Sequence, residues 1–110
     1  MATGESVEIR AFRGTRRASV YRGHALGERA FRRIVDAGAR RGLTRLASLD
    51  PGGADELDKR TARQLADEAS RLRESAELPD LDPDLVAIAE VARWCARAPK
   101  GSWLRIEGPS

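Results

Sequence analysis

Side chains that carry chemistry are scarce in this chain of 110 residues, which has one cysteine, one histidine, one methionine and five aromatics. The lone Cys95 has no partner for an intramolecular disulfide, so a reducing compartment, and hence a cytoplasmic location, is expected. One cysteine and one histidine, His24, cannot assemble a zinc site of the usual four-ligand kind within one chain. No stretch approaches the roughly 18 apolar residues of a membrane span, and residues 1–6 lack the apolar core of a secretory leader, so no membrane partner is expected. Lysine is nearly missing as well: only Lys59 and Lys100 stand among twenty basic residues. Together with abundant Ala, Gly and Asp, this reflects the codon pressure of a GC-rich genome more than guanidinium chemistry.

Arginine is what the chain has, and it is unevenly placed. Residues 1–45 carry eleven arginines against four acids, whereas residues 46–110 carry nine basic residues against thirteen acids. Such asymmetry marks either a basic face for an acidic partner or two halves of one fold that attract each other. A chain of this length forms one domain, here residues 1–110 with 1–5 and 108–110 as disordered tails. Its core must come from Leu, Val, Ile and Ala.

Period-two alternation opens the chain: Val7, Ile9 and Ala11 alternate with Glu8, Arg10 and Phe12. After an interruption at residues 13–16, Ala18 and Val20 alternate with Ser19 and Tyr21 up to Gly23, which predicts a β-hairpin. From Gly27 the period becomes helical, with Phe31, Ile34, Val35 and Gly38 on one face and Gly42 suited to a left-handed C-terminal cap. Leu43, Leu46 and Leu49 follow at every third position and predict a helical turn against the core. Asp50-Pro51-Gly52-Gly53 reverses the chain, because proline presets one dihedral and the glycines tolerate positive φ. Asp58 is a candidate N-cap for a second helix with the stripe Ala62, Leu65, Ala66, Ala69 and Leu72. Leu78-Pro79 ends it. A third helix is expected from an Asp82 cap, with Pro83 at its first position and the stripe Leu85, Ile88, Ala89, Ala92 and Cys95. Residues 102–107 alternate again and predict a strand that joins the hairpin. The expected fold is therefore α+β, order ββαααβ, with a three-stranded antiparallel sheet packed by three helices.

The run Leu49-Asp50-Pro51-Gly52-Gly53-Ala54-Asp55-Glu56-Leu57-Asp58, followed by an amphipathic helix, resembles a group of small uncharacterised actinobacterial proteins. In these an Asp-Pro-x-Gly turn leads through a short extended piece to a helix N-cap. This chain has Gly52 where an aromatic is usual and Ala54 where an acid is usual. The resemblance bears on fold and implies no activity.

Catalytic and metal chemistry find no constellation. An EF-hand loop beginning at Asp50 would need oxygen ligands where Gly52 and Ala54 stand, glycine where Asp55 stands and glutamate where Thr61 stands. Cys95 falls on an apolar helical stripe, where a thiol packs as a small hydrophobe. His24, between Gly23 and Ala25, reads as an exposed or capping loop residue. Ser19 and Ser48 lack a nucleophile elbow, and Gly52-Gly53 lacks the Lys-Ser/Thr that would complete a phosphate loop. No catalytic residue, metal or cofactor is expected. The remaining candidate binding set is Arg10, Arg13, Arg16, Arg17, Tyr21, Arg22, Arg29, Arg32 and Arg33, on the hairpin and first helix. These arginines serve a solvated surface paired to the acidic half, a protein-partner surface, or, third in order, a nucleic-acid surface. The chain is expected to be a non-enzymatic interaction module, monomer or homodimer, of the kind that serves toxin neutralisation or regulation. The alternatives are a nucleic-acid-binding accessory protein and, last, a small enzyme.

Overall fold

Alternation and helical periodicity become, in a computed structural model describing residues 6–12, 20–98 and 100–108, a sheet with helices on one of its faces. The chain runs β1 (Ser6–Phe12), β2 (Val20–Gly27), α1 (Glu28–Arg40), α2 (Thr44–Ala47), β3 (Ala54–Leu57), α3 (Lys59–Glu74), a 3-10 turn (Pro79–Leu81), α4 (Asp82–Arg97) and β4 (Trp103–Glu107). The α+β class and the pairing of the C-terminal strand with the hairpin are as the sequence implies. The sheet, however, has four strands rather than three, all antiparallel, in the order β2-β1-β4-β3. The additional strand is β3, the segment after the Asp-Pro turn, whose residues Ala54, Asp55 and Glu56 have little intrinsic preference for strand and which pairs with β4 through sheet context.

One phase of the strands is the core. Val7, Ile9 and Ala11 of β1 stand opposite Leu26, His24 and Arg22 of β2, and Leu104 and Ile106 of β4 stand opposite Ala11 and Ile9. The helical stripes close over this face: Phe31 and Ile34 of α1, Leu65 and Leu72 of α3, and Leu85, Ile88 and Cys95 of α4 are all buried. Helices approach closely at Gly38, where an added Cβ would lie 2.7 Å from the Cβ of Leu46, so glycine lets α2 pack against α1. Gly42, at φ +71°, ends α1 in a Schellman motif, with Leu43 N–H donating to the Gly38 carbonyl and Gly42 N–H to that of Ala39.

Local chemistry departs from expectation in three places. Gly23 does not end β2, which continues to Gly27, so His24 lies in a strand and not in a loop. Asp82 does not cap α4. It has helical dihedrals, Leu81 occupies the cap position, and the Asp82 carboxylate accepts from Arg73 Nε at 2.9 Å. Gly108 is no part of a loose tail, since its N–H donates to the Gly53 carbonyl at 2.7 Å and moors the central turn to the end of β4. Asp58 caps α3 as expected, accepting from Thr61 N–H at 2.9 Å. The bonds from Thr61 hold the Asp58 carboxyl below its ordinary range.

Candidate binding face on the open side of the sheet

The second phase of the strands faces away from the described helices. On it lie Glu8, Arg10 and Phe12 of β1, Trp103, Arg105 and Glu107 of β4, and Glu56 of β3, all with side chains in the phase opposite to the core residues. Register arranges them in rows across the two central strands: Phe12 opposite Trp103, Arg10 opposite Arg105, and Glu8 opposite Glu107. The face is thus banded into aromatic, guanidinium and carboxylate rows, each about 7 Å from the next along the strand. Phe12 and Trp103 stack with ring centroids 4.3 Å apart and planes 12° apart. Phe12 is 5% exposed, while Trp103 is half-buried and keeps part of its surface in solvent. Arg10, Phe12, Trp103 and Arg105 line a shallow depression of about 200 Å³.

Like charges directly opposite one another in a sheet are unfavourable. Here the two repulsive rows neutralise each other along the strands, Arg10 pairing with Glu8 and Arg105 with Glu107. Arg105 also donates to Glu56 Oε2 across to β3 at 2.5 Å. Its bonds to Glu107 and Glu56 raise the pKa of the guanidinium above its ordinary value. Among the described residues of this face, two guanidiniums stand against three carboxylates.

The sequence-derived binding set is dispersed. Arg10 lies on the open face. Arg22, exposed, lies in the other phase of β2, opposite Ala11. Arg29, Arg32 and Arg33 are on α1, which packs against the covered side; Arg32 pairs with Glu28, and Arg33 forms a two-pronged pair with Asp80 at 2.6 and 3.1 Å. Arg40 and Arg41 both reach Glu77. Arg33 holds the Asp80 carboxyl below its ordinary range, and Arg40 does the same for Glu77. Three of the N-terminal arginines, Arg33, Arg40 and Arg41, are thereby paired with acids that precede α4. Arg13, Arg16 and Arg17 and the side chain of Tyr21 lie outside the described residues.

Trp103 and Arg105 were missed as site residues. A signal for them existed: Phe12 shares the phase of Glu8 and Arg10, and Trp103 that of Arg105 and Glu107, so each central strand carries an aromatic on its charged side.

The chemistry-bearing singletons are occupied. His24 is half-buried, with Nε2 2.9 Å from Asp84 Oδ1 on α4. Cys95 is eleven residues further along that helix, about 16 Å along the axis, so His24 is not beside it. The Cys95 thiol is fully buried, and desolvation pushes its pKa up to about 11. At the central turn, Asp50 Oδ1 accepts from Gly52 N–H and Asp55 Oδ2 from Asp50 N–H, both at 3.0 Å. These carboxylates order the turn. Among the described residues no group of three or more His, Cys, Asp or Glu is placed to hold a metal ion, and no helix is long and apolar enough to cross a membrane. Comparison with family models, curated proteins and solved structures finds no match.

Proposed function

We propose that this protein is a non-enzymatic binding module that engages a protein partner through the open face of its sheet. The observation that carries this reading is the banding: an aromatic row beside a guanidinium row beside a carboxylate row, on the two central strands and free of helices. Trp103 keeps part of its ring in solvent on this face, beside charged rows whose ion pairs run along and across the strands. A partner that places an apolar side chain against Trp103, an acid near Arg10 and Arg105, and a base near Glu8 and Glu107 complements all three rows at once. Steering by complementary charge and anchoring by a half-exposed tryptophan are common devices of protein interfaces.

Nucleic acid fits this face less well. Among the described residues its guanidiniums are already paired, its carboxylates outnumber them, and Phe12 is stacked and buried, which leaves Trp103 as the described surface for a base.

A photo-crosslinking residue at position 103, compared with one at Glu74 on the solvent side of α3, tests the proposal in the native cell. A discrete protein adduct is expected from position 103 and not from position 74. With that partner purified, Trp103→Ala should weaken binding by about 2 kcal/mol or more, and Arg22→Ala by far less. Adducts from position 74 alone, or equal losses in both variants, would reject this face.

A further inference from the structure

Ion pairing occupies several arginines of the basic half, while some arginines of the half that its sequence marks as acidic have no carboxylate partner among the described residues. The guanidiniums of Arg32, Arg33 and Arg40 of α1, and of Arg41 just beyond it, each have a carboxylate partner. Arg63 of α3 and Arg97 of α4 have none among the described residues, and Arg93 of α4 donates to the Ser70 hydroxyl at 2.5 Å instead of to an acid. These three line one groove between the two helices, with Ala66 and Ala96 beneath them and Asp67 beside them, enclosing about 290 Å³. The geometry follows from packing. Alanine at both positions lowers the surface between antiparallel helices, so the long side chains on either side stand as walls. Arg93 and Arg97 are one turn apart on α4, an arrangement of like charges that disfavours a helix unless an anion bridges it.

We infer that the α3–α4 groove is a docking site for an acidic segment of a protein partner. Two carboxylates about 6 Å apart, the spacing of one helical turn or of alternate strand residues, match Arg93 and Arg97. Arg63 takes a third from the opposite wall. Asp67 decides among anions: a phosphodiester backbone meets repulsion from it, whereas a polypeptide can set a lysine or a hydroxyl there. Of this chain's own acids, Glu77, Asp80 and Asp82 are already paired within the molecule and so are not on offer to a second copy. The groove lies on the helical side, away from the open sheet face, and this inference does not depend on the function proposed above.

Titration of the full chain with a fluorescent octaglutamate peptide at low salt tests it. Arg63→Gln with Arg97→Gln should weaken binding roughly tenfold, and Arg22→Gln with Arg29→Gln, which removes the same charge elsewhere, less than twofold; Asp67→Asn should tighten it. Circular dichroism melts establish that each variant remains folded, and Trp103→Ala should leave this binding unchanged. Equal losses in the two double variants would overturn the site, since net charge alone would then explain the binding. Absence of peptide binding to the parent protein would also overturn it. Tighter binding of an oligothymidylate of equal charge, lost in Arg63→Gln with Arg97→Gln, would assign the groove to nucleic acid and reject the acidic segment. Displacement of the peptide by millimolar inorganic phosphate would assign it to a small oxyanion, with the same consequence.

Discussion

Neighbouring residues of one strand serve opposite ends in β4. Leu104 and Ile106 point into the core and are within 1% of full burial, whereas Trp103, Arg105 and Glu107 point to the open face and remain partly in solvent. The same alternation divides β1, with Val7, Ile9 and Ala11 on one side and Glu8 and Arg10 on the other. The inner phase is uniform in chemistry and tolerates exchange among aliphatic residues of similar volume. The outer phase is heterogeneous and ordered in rows, and it owes that order to register between strands 91 or more residues apart in sequence, such as Phe12 and Trp103. What stabilises the sheet and what the sheet displays are therefore set by different residues of the same two strands.

The sharpest way to break this comparison is to truncate one residue from each phase of β4. Ile106→Ala should cost about 2–4 kcal/mol in a denaturant titration, as large-to-small changes at fully buried sites do. A loss below about 1 kcal/mol would mean that β4 does not complete the core. Trp103→Ala should cost less, about 1–2 kcal/mol, mostly the stacking against Phe12 and the partly buried area of the indole. The order of these two values separates the phases: a larger loss at Trp103 would place the aromatic row inside the structural core and undercut its use as a binding anchor.

How far the fold could be read in advance follows the same division. The inner phase was legible: every apolar residue assigned to the stripes of α3 and α4 is buried, and the Leu43, Leu46 and Leu49 repeat is a helical turn on the core. β3 was not legible, because Leu57 is its only buried residue and its pairing comes from β4. The continuation of β2 past Gly23 was hidden because two of its core-facing positions are Arg22 and His24, so the apolar alternation breaks where the strand does not. The capping reading of Asp82 failed because the turn Pro79–Leu81 feeds directly into α4 and places Asp82 inside the helix. For the candidate site, charge composition pointed to the N-terminal arginines. It could not show that Arg33 meets Asp80 or that Arg40 meets Glu77, contacts across 47 and 37 residues. The positions left in play, Arg105, Trp103, Arg63 and Arg97, sit in the half that looked acidic.

Cys95 gives a reactivity contrast within the core phase. With its pKa pushed up to about 11 by burial, the thiol is protonated at neutral pH and shielded from reagents. A disulfide reagent such as DTNB should label it on the timescale of unfolding in native buffer and at once in denaturant. Rapid stoichiometric labelling of the native protein would contradict its place in the core.

The smallest expected effect belongs to the surface pairs of α1, and it is read through pH. Asp80 and Glu77 have folded-state pKa values below their ordinary ones because Arg33 and Arg40 bond to their charged forms. A carboxyl with a depressed folded-state pKa contributes stability above its unfolded-state pKa and loses it as pH falls through the folded-state value. Melting temperature should therefore decline on acidification from about pH 5 towards pH 2, in part because these pairs are discharged. Arg33→Gln with Arg40→Gln should lower the melting temperature slightly at pH 7, flatten the acid decline, and converge with the parent curve at the acid end, where the carboxyls are neutral in both proteins. The difference at pH 7 should shrink in high salt, since these pairs are exposed. Parallel curves that never converge would mean that the variants had lost packing of the arginine stems along α1 and not the charge pairing that distinguishes α1 from the open groove between α3 and α4.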